Sequence, residues 1–253
     1  MTLPRPIDFN ADLGEDCGDD AGVIPWISSA SIACGGHAGD ARTMAATVRL
    51  CLAQGVAIGA HPSYPDRAGF GRRPLDMPLD ELLQSIREQV EAIAEIAARA
   101  GTRLAHVKPH GALYNRSAVD PELAAAIAQV VRAIDPGLRL YGLAGSISLS
   151  AARAAGLIAV AEAFADRRYR PDGTLVPRSE SHAVIDDPEA AAAQLLSLLQ
   201  MGRISADDGT ALTLEADTVC LHGDRADAAE FAQALHHAIR AAGYQISAPG
   251  SHP

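Results

Sequence analysis

The chain has 253 residues, 48% of them apolar, which is enough to bury a substantial core as one large α/β domain or two small ones. A formal charge of −10 argues against unassisted binding to nucleic acid or to an anionic membrane surface, although a local arginine cluster can still receive a small anion. No stretch approaches the ~20 apolar residues of a membrane helix, and the N-terminus lacks an apolar signal segment, so the sequence reads as cytoplasmic.

Strand and helix signals alternate along the chain. "IDFNADLG" (7–14) predicts a strand whose polar residues gather at its C-terminal end. "SIAC" (31–34) predicts a second, and Asp40 caps a helix carrying Met44, Val48 and Leu52 that Gly55 closes. "VAIGAH" (56–61) is a third strand, followed by the loop "HPSYPDRAGFGRRP". A long helix from about 79 to 100 shows one stripe: Leu79, Leu82, Leu83, Ile86, Val90, Ile93 and Ala97. "LAHVKPH" (104–110) is a fourth strand, and Asp120-Pro121 opens a helix with Leu123, Ile127, Val130 and Ile134. "LRLYGLA" (138–144) is a fifth strand, with an alanine-rich helix after it that ends near Gly156; "LIAVAEAF" (157–164) is a sixth. A polar loop, 165–186, leads to a helix opened by Asp187-Pro188, and "DDGT" (207–210) is a hairpin turn. "TVCLHGD" (218–224) is a seventh strand, before an amphipathic helix to about 242.

Seven such units without a low-complexity linker predict one parallel-sheet domain over 1–253. The strands are short and often apolar on both faces, as buried parallel strands are. Periodicity alone also fits an open doubly wound sheet. The strand ends favour a barrel, because almost every one carries a polar cluster: Asn10 and Asp12, His37, His61, Lys108 and His110, Glu162, His222 and Asp224. Only a closed barrel brings all those ends to one mouth.

Several of these residues have a plain structural reading beside a functional one. Asp12, with Asn10 and Glu15, can cap a turn or join a site. Lys108 interrupts a buried strand, so its ammonium needs a carboxylate, a ligand or water; a structural pairing with Asp12 or Glu162 is the plain alternative. Arg167, Arg168, Arg170 and Arg178 crowd one loop, where one or two can hold a carboxylate or phosphate. The four cysteines, Cys17, Cys34, Cys51 and Cys220, match no zinc spacing, and two sit in apolar text as buried free thiols, which suits a reducing compartment. Asp12, His37, His61, His110 and His222 are metal-ligand types, yet no HxH or HExxH pair occurs; no metal is indicated, and one that bound would fall to Asp12, His61 and His110. There is no P-loop and no GxSxG elbow.

Six segments in order, "FNADLGED", "IACGGHAGD", "GAHPSYPDRAGFGRR", "HVKPHGALYN", "EAFADRRY…DGTLVPR" and "CLHGD", resemble the lactam-utilisation family over roughly 7–245. The resemblance implies a seven-stranded (β/α) barrel of the glycoside hydrolase/deacetylase-like kind. It also implies ATP-dependent cleavage of 5-oxoproline (pyroglutamate) to L-glutamate, as the A component of a three-part enzyme with subunits B and C. ATP, with a divalent ion such as Mg as its complex, is the implied cofactor; self-association is left open. The family patterns fall on Asn10, Asp12, Glu15, His37, Asp40, His61, Asp66, Arg72, Lys108, His110, Asn115, Glu162, Asp166, Arg167, Arg178, His222 and Asp224. From the chemistry, Arg72 or Arg178 suits the substrate carboxylate, and Asp12, His61 or His110 suits the base. Lys108 suits the developing charge, and His222 the proton for the leaving nitrogen. The remaining residues, Asn10, Glu15, His37, Asp40, Glu162 and Asp224, are candidates for binding substrate or nucleotide. Two departures stand out: the family usually has asparagine at the position of Ser31, and phenylalanine at that of Gly36, a ring lost beside His37. The alternatives are a metal-dependent deacetylase or amidohydrolase of the same barrel type, and a non-catalytic subunit.

Overall fold

Asp8, Asn10 and Asp12 alternate along the first strand with Phe9, Ala11 and Leu13, and all six are buried, so this strand has a polar face turned into a closed interior. The computed structural model describes residues 6–250. Strand β1 (Pro6–Leu13) leads through a short helix, α1 (Asp20–Val23), and a 3₁₀ turn, Ile24–Trp26, to β2 (Ser29–Ala33). Then come α2 (Ala41–Gln54), β3 (Ala57–His61), α3 (Leu79–Arg99), β4 (His106–Val107), α4 (Gly111–Ser117) and α5 (Pro121–Ile134). They are followed by β5 (Arg139–Leu143), α6 (Ile147–Ala154), β6 (Ile158–Phe164) and α7 (Pro188–Met201). The hairpin β7 (Arg203–Ser205) and β8 (Ala211–Thr213) precedes β9 (Thr218–His222), α8 (Ala228–Ala241) and β10 (Gln245–Ile246). Strands β1 to β6 pair side by side in chain order, and β9 pairs with both β6 and β1, closing a parallel barrel of seven strands. The hairpin stands apart, and β10 adds to the start of β1. No helix among the described residues is long and apolar enough to cross a membrane.

Local signals set most helix ends. Asp40, Asp120 and Asp187 each accept backbone N–H groups at an N-cap, with Pro121 and Pro188 in the first turn. Gly55 ends α2 in the left-handed conformation that glycine adopts without steric cost. The stripe of α3 buries Leu82, Ile86, Val90, Ile93 and Ala97. Leu52 and Leu79 do not join the core; each lies at the edge of its helix's buried face and is exposed. The regular fourth strand is shorter than the expected 104–110, although the Lys108 and His110 N–H groups still donate to the Ala60 and Pro62 carbonyls before α4 begins at Gly111.

The barrel interior departs from the expectation of strands apolar on both faces. At its lower end the Asp8 carboxylate accepts hydroxyl protons from Ser28 (2.6 Å), Ser29 (2.8 Å), Thr218 (2.6 Å) and Tyr141 (3.0 Å). Burial nevertheless pushes its carboxyl above the ordinary value, with the four hydroxyls opposing. His106 meets Ser31 Oγ at 3.1 Å and stacks on Tyr141, ring centroids 4.1 Å apart. Gly59 makes room for that ring: a Cβ there would lie 2.1 Å from His106 Nε2. Ser31 thus serves the interior histidine.

Candidate active site at the barrel mouth

Parallel register brings the strand ends level, with Asp12 opposite both Ser31 and His222, and Ala33 opposite His61. Lys108, only 1% exposed, extends into the barrel, and its ammonium lies 2.9 Å from Asn10 Oδ1, 2.9 Å from Glu162 Oε1 and 2.6 Å from Asp12 Oδ1. Cys220 Sγ lies 3.1 Å away, and Asn10 donates in turn to Glu162 Oε1 at 2.9 Å. Burial alone would pull the ammonium down, but Asp12 and Glu162 outweigh it and keep Lys108 charged well above its ordinary range. For Asp12, burial is likewise opposed and overcome by His61 and Lys108, which hold its carboxyl well below the usual range. The structural pairing of Lys108 with Asp12 and Glu162 is present, and the same side chain lines the cavity at the mouth.

A second group lies beside Asp12. His61 Nε2 is 3.3 Å from Asp12 Oδ2 and 2.9 Å from His110 Nδ1. His37 stacks on His110 with centroids 3.7 Å apart and meets Glu15 Oε1 at 3.1 Å through Nε2. Burial, then the charges of Asp12 and Asp224, push the Glu15 carboxyl well up; burial, then His61, pulls His37 down to about 2. One ligand atom from each of Glu15, His37, His61 and His110 falls within 4.8 Å of the others, so this buried cluster could bind a metal. Asp12, named with His61 and His110 as a metal ligand on sequence grounds, lies outside this cluster and faces Lys108, while Glu15 and His37 take the remaining corners. Their place was missed because they come from the turns after β1 and β2, at no motif spacing.

Gly36 neighbours this cluster. A Cβ on it would lie 2.4 Å from Gln89 Oε1 and 2.6 Å from Ser63 Oγ, so Gln89 fills the space that a side chain at position 36 would need. The aromatic neighbour of His37 is instead Phe70, 5.4 Å between centroids, from the loop before α3.

Above these groups a cavity of about 430 Å³ is lined by Asp12, His61, Lys108, His110, Asn115 and His222, with Arg72, Arg73, Arg167 and Arg178 around it. Asp166 accepts from His222 Nδ1 at 2.9 Å, and the ring stacks on Phe164. Asp224 pairs with Arg72 and with Arg178. Arg167 is buried and donates to the carbonyls of Ala183 (3.3 Å) and Val176 (2.6 Å), with no carboxylate in salt-bridge reach among the described residues. Burial and then Arg178 pull its guanidinium down to about 10. The loop 165–186 is no solvated excursion: Tyr169, Val176 and Ala183 are buried, and bridges join Arg167 to Val184 and Tyr169 to Leu175. Arg168 is exposed, and Arg170 pairs with Glu180. Asp66 ties down the loop before α3 through Arg73 and Gly69. Asp40 sits apart from the rest: it is exposed, caps α2 and does not line the cavity. Sequence reasoning also passed over Tyr114, which faces Glu162 one helical turn beyond His110; the only signal was its spacing after "PH".

Residues 7–252 match the model of the LamB/YcsF family. A curated relative, the A subunit of 5-oxoprolinase from Methylococcus capsulatus, is 50% identical over 253 residues, covering 98% of this chain and 97% of its own. The crystal structure of the lactam utilization protein from Thermus thermophilus superposes with a TM-score of 0.89 at 42% identity, over 96% of this chain and 99% of that one. A more distant likeness, to T48 deacetylase with substrate, has a TM-score of 0.50 and 14% identity over 97% of this chain and 88% of that one, and extends to the barrel fold alone. The seven-stranded barrel and this full-length likeness agree: the chain belongs to the LamB/YcsF family.

Proposed function

We propose that this chain is the A-type component of a 5-oxoprolinase, acting with subunits B and C to convert 5-oxoproline to L-glutamate at the expense of ATP. The observation that carries this reading is the 50% identity, over 98% of the chain, to a protein named as the A subunit of 5-oxoprolinase. The mouth is chemically suited to it. The lactam is a poor electrophile, and phosphorylation of its amide oxygen by ATP makes the ring carbon open to water. The substrate carboxylate needs a cation, and Arg167, buried beside Arg72 and Arg178 with no acid partner among the described residues, supplies one. The proton of the attacking water falls to Asp12, abutted by His61 at 3.3 Å. Lys108 Nζ, 2.6 Å from Asp12, stabilises negative charge that develops as the tetrahedral centre forms. When the ring C–N bond breaks, the nitrogen takes its proton from the His222 imidazolium, whose orientation Asp166 fixes, and a second water splits the acyl phosphate left behind into the glutamate side-chain carboxylate and inorganic phosphate. Asn10 and Glu162 serve by positioning Lys108, and Asp224 by positioning Arg72 and Arg178. The likeness to a deacetylase, at 14% identity, is one of fold and does not favour the deacetylase alternative.

The test is ATP-dependent glutamate formation from 5-oxoproline by the purified chain alone and with B and C partners. Negligible turnover alone, activity on assembly, and loss of that activity in His222→Gln and Lys108→Ala assemblies are expected. Full turnover by the chain alone would overturn the partner dependence. Intact turnover in both variant assemblies would make this a non-catalytic subunit.

A further inference from the structure

Two imidazoles at the mouth direct lone pairs at one another. His61 Nδ1 lies 2.7 Å from the Lys108 carbonyl oxygen, which can only accept, so Nδ1 carries the proton and Nε2 the lone pair. His110 Nε2 lies 3.0 Å from the Phe70 carbonyl oxygen, so by the same reasoning its Nδ1 carries the lone pair. Those two lone-pair nitrogens are 2.9 Å apart. Beside them lie two carboxyl oxygens: Glu15 Oε1 at 3.5 Å from His110 Nδ1, and Asp12 Oδ2 at 3.3 Å from His61 Nε2. Four such atoms in a buried space require positive charge among them, either a proton held between the two imidazoles or a metal ion. His37 adds another nitrogen, Nε2, 3.1 Å from Glu15 Oε1, while its buried Nδ1 has no partner.

We propose that Glu15, His37, His61 and His110 hold a first-row divalent transition metal of the zinc type. A tetrahedral site with bonds of about 2.0–2.1 Å places its ligand atoms roughly 3.3–3.4 Å apart. Three of the six separations among these four residues, 2.9, 3.1 and 3.5 Å, lie near that value, and all six are within 4.8 Å, so the site closes on an ion by a small inward shift of side chains. Three imidazoles and one carboxylate suit a borderline metal, whereas magnesium and calcium take oxygen donors. The nitrogens turned away from the site are already fixed: His61 on the Lys108 carbonyl and His110 on the Phe70 carbonyl, as outer partners of metal-bound histidines usually are. Phe70 reaches His110 from a left-handed backbone (φ 54°), a strained state for a residue with a Cβ and one that clusters at functional sites. His61 and His110 line the cavity, so an ion held there can be reached from it. The inference does not rest on the lactam reading, and leaves Asp12 free for base duty.

The test uses the full chain, stripped with chelator, then titrated with Co²⁺ as a spectroscopic probe and with Zn²⁺ in competition, without substrate. One bound ion per chain, visible absorption of four-coordinate intensity, and a thermal midpoint that rises with either ion are expected. His61→Gln and His110→Gln should each weaken Co²⁺ binding by more than the roughly 10–100-fold that loss of an outer-partner hydrogen bond costs. His236→Gln, on α8 and bonded to the Trp26 carbonyl, should leave it unchanged. Because a variant can misfold, the native protein supplies an independent readout: the ring ¹⁵N shifts of His61 and His110 move to metal-bound values with Zn²⁺. Absence of both visible absorption and midpoint change would overturn the proposal, as would binding undiminished in both variants. A proton shared by His61 and His110, seen as an imidazolium signal that Zn²⁺ leaves unmoved, would overturn it too.

Discussion

Lys108→Met tests the charge around which the barrel interior is arranged. Methionine keeps most of the side-chain volume, so the packing change costs under about 1.5 kcal/mol. What is lost is the ammonium that lies within 2.9 Å of both Asp12 and Glu162, whose side chains are 5% and 0% exposed. Removing one partner of a buried ion group costs about 3–5 kcal/mol, because the other charges stay behind without compensation. At about 2–4 °C per kcal/mol for a chain of this size, the thermal midpoint should fall by about 6–20 °C at pH 7. The pH dependence has a definite sign. The Asp12 carboxyl is held well below its ordinary 3.8 in the folded protein, so its stabilising contribution is full above that value and is lost as pH falls below it. The gap between wild type and variant should therefore be widest near neutrality and narrow in acid. Adding Glu162→Gln to the variant removes one orphaned charge and should recover at least about 1 kcal/mol. Circular dichroism melts from about pH 2 to 8, a range that spans the loss of the Asp12 charge, would decide it. A single variant that melts within about 2 °C of wild type at pH 7 would refute the electrostatic account, as would a gap that does not narrow in acid.

Three further outcomes follow from the same geometry. Gly59→Ala places a methyl 2.1 Å from a ring already stacked on Tyr141, so it should cost about 1–3 kcal/mol; an unshifted denaturation midpoint would show that His106 can move. Asp166→Asn should destabilise by about 1.5–3 kcal/mol above pH 5, because His222 and the neighbouring guanidiniums overcome burial and hold its carboxyl below 3.8. That difference should vanish as pH falls below 3.8, and one constant across the titration would contradict it. Asp40→Ala should lower the melting midpoint by removing the cap on α2, while the KM for 5-oxoproline in the assembled enzyme stays within about twofold. A large KM change would make Asp40 a substrate contact.

The order of strands, the helix caps and the converging polar strand ends were legible because they are local: a cap needs one residue, and a strand end needs one neighbour. What was not legible depends on closure. Asp8, Ser29, Tyr141 and Thr218 sit in text that reads as ordinary strand, and only the barrel brings the four together. Leu52 and Leu79 fit their helical stripes by spacing, yet where the buried stripe ends is decided by the neighbouring helix. Helix α4 was missed because "GALYN" has no repeat long enough to show a period. Glu15 and His37 were legible as site candidates, but their meeting with His61 and His110 is set by two turns folding toward each other.

The filling beside Gly36 has a consequence for how such pockets can change. Gln89 is clamped on both sides of its amide, accepting from Ser63 N–H and donating to the Ser63 carbonyl and to Ser85 Oγ, so it cannot swing aside. A ring at position 36 and the amide at position 89 are therefore mutually exclusive occupants of one volume. Variation at this wall of the mouth must come as an exchange between two positions far apart in sequence. A phenylalanine grafted at 36 without a smaller residue at 89 would displace the turn that carries His37, and the paired change is the one that could reshape the pocket while leaving the histidine in place.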